Sequence, residues 1–539
     1  MATTATSSRP AAKRAHHLEP AVPFFQPSIV DEHGKLDHNR APFIEGVAAY
    51  RDQNMTPFAT PGHKLGKGMD PELVALYGAD AFACDIPVSG GADGIHFNFD
   101  TWRLAEELGA DAWNSDRTFY LVNGSSTGNL AFLTAQIRPG DKVVVARDVH
   151  KSLMVALIQS GARPVYIAPR LHPTLDIGLG IEATDVEDAL RKHPDAKMLV
   201  LVSPSYCGVS SDLTAIAEVA HARNVPVYVD EAWGPHFHFH PALPLSAMDS
   251  GVDGAVASTH KVLGAFTQSA VLHVKGPRVN PDRVATAVGM AQTTSPAAFI
   301  LATIDGCRRQ MVRHGRELLD VAIELAEDAR YRLQRIPGVS VLDAEMLGVD
   351  FYDLTKLVID VHGLGLTGFQ VEDELRYRYH INPESSDLTS VICLVTIGDT
   401  RESLDRLVSA FESLSRSQNG SKPKNGKAVT RSSGAVVAPG IQAMSPRDAF
   451  YSRQRAIPLD QAAGEISAEL VIPYPPGIPV LAPGDVITVE KLEYLKFGAA
   501  SGMYISGAAD HQLRTIHVVD EPKQSAWTQQ PYYSNLPSR

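Results

Sequence analysis

The run Val252-Asp253-Gly254-Ala255-Val256-Ala257 leads directly into Ser258-Thr259-His260-Lys261-Val262-Leu263-Gly264. A short apolar-leaning segment followed by two hydroxyls, a histidine, one lysine and a glycine reads as a strand that ends in a loop carrying chemistry. A partly desolvated lysine at such a place can attack an aldehyde, and a hydroxyl just upstream can hold a phosphate. On these residues alone, a surface lysine at a strand end is the simpler explanation. The rest of the chain decides between the two.

Upstream, short apolar runs alternate with helical patterns. Arg117–Val122, Lys142–Ala146, Pro164–Ile167, Met198–Ser203, Val225–Val229 and Ala255–Ala257 are strand candidates, and Ser152–Gln159, Ala183–Arg191 and Leu213–Ala222 are helix candidates between them. This alternation predicts an α/β domain built on a mainly parallel sheet with helices on both faces. Ligands of such sheets bind beyond the carboxyl ends of the strands. Ser126 and Thr127 follow one strand there, and His150, Tyr206, Asp230 and Lys261 follow four others. Five strand ends converging on one edge are hard to explain by packing alone.

The strand Arg117–Val122 runs into Asn123-Gly124-Ser125-Ser126-Thr127-Gly128-Asn129 and then the helical pattern LAFLTAQI. Free backbone amides, a helix dipole and hydroxyls at one place suit a phosphate dianion, although Ser and Thr are also ordinary N-caps. Asp230, in Val229-Asp230-Glu231-Ala232-Trp233-Gly234, can pair with a protonated pyridine nitrogen and keep such a ring electron-deficient. A helix cap or a metal ligand are its other readings. His150 can stack on an aromatic ring. His236, His238 and His240 alternate in HFHFH and would share one face of a strand, which invites a metal; with no carboxylate to complete a triad, no metal is expected. Thr60–Gly68 is a glycine-rich basic loop that could meet an anion, without the spacing of an ATP-binding phosphate loop.

The 539 residues carry a net charge of −12, which argues against non-specific nucleic-acid binding. The four cysteines form no CxxC pair, so neither a disulfide framework nor a cysteine zinc site is expected. No run approaches the roughly 18 apolar residues of a membrane span. The first 20 residues lack the apolar core of a secretory signal and read as a tail rather than a transit peptide, so a cytoplasmic protein is expected.

NGSSTGN, DVHKS, DEAWG, STHK and YPPGIPVLAPGD, with TPGHKLGKG and IGDT, resemble in order and spacing the bacterial ornithine/lysine/arginine decarboxylases. The resemblance spans about residues 43 to 520 and corresponds to the short form without an N-terminal wing domain. It implies a pyridoxal-phosphate enzyme of the aspartate-aminotransferase fold type, fold type I, with a seven-stranded-type sheet and smaller α+β domains. Carried over by position, it implies that Lys261 bonds the cofactor aldehyde with His260 beside it. Asp230 would hold the pyridine nitrogen and His150 would stack on the ring. Ser126, Thr127 and Ser258 would hold the phosphate, and Trp233 would lie near the phenolic oxygen. The family's distal-cation reader is a glutamate at the position of Asp485, one methylene longer than the residue here.

The expected layout is a tail and arm at 1–42, a cofactor-binding large domain at 43–305, a small α+β domain at 306–414, a flexible linker at 415–440 and a C-terminal domain at 441–539. The expected function is decarboxylation of arginine, lysine or ornithine to the amine and CO₂, in a homodimer or larger homo-oligomer with a shared site. The alternatives are an aminotransferase or oxidase of a cationic amino acid, or a non-catalytic homologue that regulates a partner.

Overall fold

The Val- and Leu-rich runs form the middle of one sheet, and most of their residues are buried. In the computed structural model, which describes residues 28–88, 92, 100–173, 175, 177–418, 440–473 and 477–520, the large domain carries seven strands. They are β1 (Arg117–Leu121), β2 (Lys142–Ala146), β3 (Arg163–Ile167), β4 (Met198–Val202), β5 (Val227–Asp230), β6 (Gly254–Ala257) and β7 (Ala270–Val274). Their order is β1-β7-β6-β5-β4-β2-β3. β7 runs antiparallel to both neighbours and the other strands are parallel, as the alternating pattern predicts. The carboxyl ends of β1, β2, β4, β5 and β6 therefore share one edge.

The helix Gly124–Gln136 packs on this sheet at a distance that only glycine permits. A Cβ on Gly128 would fall 2.5 Å from Val256 Cγ2, and a Cβ on Gly254 would fall 2.3 Å from the Phe132 ring. Both contacts press the helix onto β6, so its N-terminus sits near the loop that follows β6. The helix begins at Gly124, so Ser125, Ser126 and Thr127 lie in its first turn rather than in a preceding loop.

The 36-residue helix Ala298–Leu333 is about 54 Å long at 1.5 Å per residue. Its first half buries Leu301, Ile304 and Met311 with Phe43, Tyr120 and Val271. Its second half buries Leu325, Ala329 and Leu333 in a second core with Leu357, Ile359, Val391 and Phe411. The boundary expected at 305/306 thus falls inside one continuous helix, which ties the two cores together. The second core backs an antiparallel sheet of β8 (Ser340–Val341), β9 (Lys356–Asp360), β10 (Ser385–Ser386) and β11 (Ser390–Leu394), in the order β10-β11-β9-β8. A further cluster of Val471, Leu481, Leu495 and Ile516 organises the C-terminal segment. The expected linker at 415–440 lies mostly outside the described residues, and its first four residues, 415–418, belong instead to the end of the helix Arg401–Gln418.

HFHFH is not a strand. Phe237–Phe239 form a single 3₁₀ turn, and each histidine takes its own aspartate: His236 with Asp353, His238 with Asp249 and His240 with Asp320. A shared histidine face therefore does not exist.

Candidate active site

β5 ends in Asp230, whose carboxylate is almost fully buried. One oxygen accepts the Ala232 N–H at 3.1 Å, and the other accepts the Asn129 side-chain N–H at 2.8 Å. The Asn129 carbonyl in turn accepts the Tyr228 hydroxyl at 2.9 Å, and the Tyr228 ring stacks on Phe132 at 4.1 Å. A carboxylate held by two donors and backed by a fixed amide cannot swing away, and is positioned to receive an N–H or a cation from the loop edge.

The same Asn129 amide donates to Ser152 Oγ at 2.9 Å, and Ser152 Oγ lies 2.8 Å from His150 Nδ1. Because Ser152 Oγ accepts from Asn129, its own proton points to His150. The Ser152 backbone N–H also reaches Nδ1, at 3.3 Å. Nδ1 is therefore an acceptor, and the neutral ring carries its proton on Nε2. Burial is the largest influence on this ring and lowers its pKa to about 4; the neighbouring Asp230 opposes the shift, and Lys261 and Lys151 add to it. His150 stays neutral from pH 5.5 to 8, so nitrogen-15 NMR will show an unchanging Nε2–H tautomer over that range. A ring titrating near 6.5 would contradict this network.

β6 delivers Ser258, His260 and Lys261, the last two within the short helix Thr259–Val262. Lys261 Nζ lies 3.9 Å from the centroid of the Trp233 ring. Burial lowers its pKa, and the carboxylates of Asp230 and Glu384 oppose that shift. A lysine so placed is nearer its neutral, nucleophilic form than a surface lysine. His260 Nδ1 is 2.7 Å from the Ser269 carbonyl, to which it donates, leaving Nε2 as the acceptor of the neutral ring. Burial lowers the His260 pKa as well.

Ser258 Oγ is buried without a hydrogen-bond partner, and so is Thr259 Oγ1. An orphaned hydroxyl is costly unless something meets it. Asn123 makes no side-chain cap on the helix Gly124–Gln136, so that helix keeps free N–H groups beside Ser126 and Thr127. The residues present fit a phosphate monoester between this helix and Ser258.

Two participants gave no local signal in the sequence. Lys356 begins β9 in the small domain, and its buried ammonium lies 3.6 Å from the Trp233 centroid. Glu384, just before β10, receives the Tyr206 hydroxyl at 3.4 Å, and Tyr206 meets Trp233 edge-on at 5.3 Å. Lys356 sits at the head of a short apolar run and Glu384 in a polar connection, and neither stretch signals a site. Asn129 and Tyr206 were visible within a motif and at a strand end, but only the fold shows their partners.

Asp485 does not join this group. It is fully buried and faces Arg147 at 3.0 Å and Lys491 at 3.6 Å, while its carboxylate also accepts the Ala482 N–H at 3.1 Å. Arg147 is itself fully buried and donates to the carbonyls of Pro479 and Val480 at 2.6 and 3.1 Å. A carboxylate with no exposed surface and two internal cations is not free to meet a substrate. The expectation that Asp485 reads a distal cation is corrected accordingly: here it docks the C-terminal segment onto the end of β2.

The protein-family model described as Orn/Lys/Arg decarboxylase, major domain, matches residues 41–354, and its C-terminal domain matches residues 433–510. An arginine decarboxylase of Halalkalibacterium halodurans is 41% identical over 487 residues, covering 89% of this chain and 98% of that protein. One from Bacillus subtilis is 39% identical, covering 90% of this chain and 99% of that protein. A lysine decarboxylase structure from Francisella novicida superposes with a TM-score of 0.75 at 23% identity, covering 89% of this chain and 81% of that one; it shares the fold. Among the described residues, no helix is long and apolar enough to cross a membrane.

Proposed function

Because the chain belongs to the Orn/Lys/Arg decarboxylase family, we propose that it decarboxylates arginine to its amine and CO₂, with pyridoxal phosphate bonded to Lys261. Lysine and ornithine are the other members of the substrate class. The observation that carries the proposal is the meeting of a desolvated lysine, a doubly held carboxylate and an uncapped helix end at one sheet edge. The identity to arginine decarboxylases along nearly their whole length supports arginine over the other two.

Bound here, the cofactor would supply an electron-poor pyridine ring able to take up the electron pair of the breaking Cα–carboxylate bond. Lys261 would hold its aldehyde carbon, and Asp230 would hold the pyridine N–H. His150, neutral, would lie against the ring without adding charge. Ser126, Thr127, Ser258 and the helix amides would hold the phosphate. His260, through Nε2, and Lys261 would be the two groups that move a proton at the substrate's Cα. Trp233 keeps water from one side of Lys261.

A homodimer with a shared site is the assembly we favour. Phe58 is 95% exposed, Met290 76% and Leu76 72%, and apolar side chains so open to solvent are consistent with a covering partner. The functional test supplies purified protein and pyridoxal phosphate with arginine, lysine or ornithine, and detects amine and CO₂ together. Stoichiometric amine and CO₂ from arginine is the expected result. A keto acid without CO₂ would overturn the proposal in favour of an aminotransferase, and hydrogen peroxide would indicate an oxidase.

A further inference from the structure

We propose that the docking face of the C-terminal segment holds a binding site for one small monovalent anion, built by Lys491, Gln442 and Arg147 around Asp485. The site is independent of the decarboxylase reading and shares no residue with the group around Lys261.

Four polar side chains meet here with almost no exposure: Arg147 and Asp485 at 0%, Lys491 and Gln442 at 2%. Their contacts leave much unmet. Lys491 Nζ stands 3.6 Å from Asp485 Oδ2, an ion pair too long for a hydrogen bond, and has no hydrogen-bond partner among the described residues. Both amide atoms of Gln442, Arg147 Nε and Asp485 Oδ1 are likewise buried without one. Gln442 opposes Asp485 across an antiparallel bridge, so their side chains leave the same face. Gly440 opens onto that face: a Cβ there would fall 3.1 Å from Lys491 Nζ and 3.6 Å from Asp485 Cγ. Any larger residue would crowd the approach to the ammonium. Tyr166 borders the cluster, its ring 5.4 Å from the Arg147 guanidinium, but its hydroxyl is directed to Met154 Sδ at 3.7 Å.

The unmet groups are mostly donors. The ammonium, the Gln442 amide and Arg147 Nε offer N–H groups, against two acceptors, Asp485 Oδ1 and Gln442 Oε1. Two cations also share one carboxylate, which leaves a positive charge uncompensated in a site without water access. Burial lowers the Lys491 pKa to about 8, so the ammonium is still charged at neutral pH; Asp485 and Arg147 are the charged groups that act on it. Asp148, next to Arg147 in the chain, feels Arg147 but is not among the groups acting on Lys491. Water brings as many donors as acceptors and cancels no charge, whereas a small anion accepts N–H bonds and neutralises the surplus. Chloride and bicarbonate both have this chemistry, and bicarbonate adds an O–H that Asp485 Oδ1 can accept. Gly440 and Gln442 precede the C-terminal segment's core, and Asp485 and Lys491 lie within it, whereas Arg147 follows β2. An anion held between them binds only the docked segment and so stabilises docking.

The test uses the full-length protein. Urea unfolding of the C-terminal segment is followed at constant ionic strength while gluconate is replaced by chloride or by bicarbonate, in wild type, Lys491→Met and Gly440→Ala. The wild-type midpoint should rise by roughly 0.3 M urea in either small anion, and the larger rise identifies the preferred one. Lys491→Met removes the surplus charge and Gly440→Ala crowds the ammonium, so both should lose most of that rise. Wild-type crystals grown in bromide give a second readout that does not depend on either variant folding: an anomalous peak is expected within about 3.5 Å of Lys491 Nζ. Equal rises in wild type and both variants, or a bromide map with no peak beside Lys491, would overturn the proposal. Neither readout depends on amine or CO₂ being formed, so a failure of the decarboxylase reading would be seen separately.

Discussion

Lys261→Ala is expected to abolish amine release from arginine, by about ten-thousand-fold or more, while leaving the fold in place. The magnitude follows from losing the only covalent attachment and one of two proton-moving groups at once. The fold should survive because Lys261 is half-buried, and its ammonium faces Trp233 rather than an ion-pair partner within 4 Å among the described residues. Circular dichroism and thermal melting should therefore match wild type within a few degrees. Activity above one hundredth of wild type would mean that another group holds the cofactor.

Arg147→Met should be the most damaging substitution for stability. It removes the guanidinium that serves Asp485, Pro479 and Val480 together and leaves the Asp485 charge buried beside Lys491 alone. Burial lowers the Lys491 pKa to about 8, with Asp485 opposing the shift and Arg147 adding to it, so losing Arg147 does let Lys491 hold its proton more firmly. One ammonium at 3.6 Å still cannot replace a guanidinium at 3.0 Å that also satisfies two carbonyls. Breaking a buried pair in this way costs about 3–5 kcal/mol. Urea denaturation should show this loss in the transition that releases the C-terminal segment. Asp485→Asn should be destabilising in the same assay. If Asp485 instead read the substrate, that variant would keep its stability and raise KM for arginine.

The contrast between Asp485 and Glu384 shows what was legible in the sequence. Strands such as KVVVA and MLVLV were readable because burial on both faces leaves a continuous apolar run. The edge on which Asp230, His150 and Lys261 meet followed from the parallel arrangement. Asp485 was readable as a position in a motif but not as a partner of Arg147, because an ion pair between residues 338 apart leaves no local trace. Lys356 opens KLVID, a stretch with the look of any strand. Its ammonium matters only because the helix Ala298–Leu333 carries the small domain against Trp233. The three histidines of HFHFH failed in the opposite way: a strand period was read where the chain makes a 3₁₀ turn and each histidine pairs with a separate aspartate. Local pattern shows which element a residue belongs to, while long-range charge pairing has to be seen in three dimensions.

The central claim is that Lys261 is the covalent anchor of a pyridoxal cofactor. Borohydride reduction of the protein incubated with pyridoxal phosphate, followed by peptide mapping, tests it most directly. The account predicts one phosphopyridoxyl group, on the peptide containing Ser258–Lys261, and its disappearance in Lys261→Ala. A label on Lys356 or any other lysine, or no label with the wild-type protein, would contradict it.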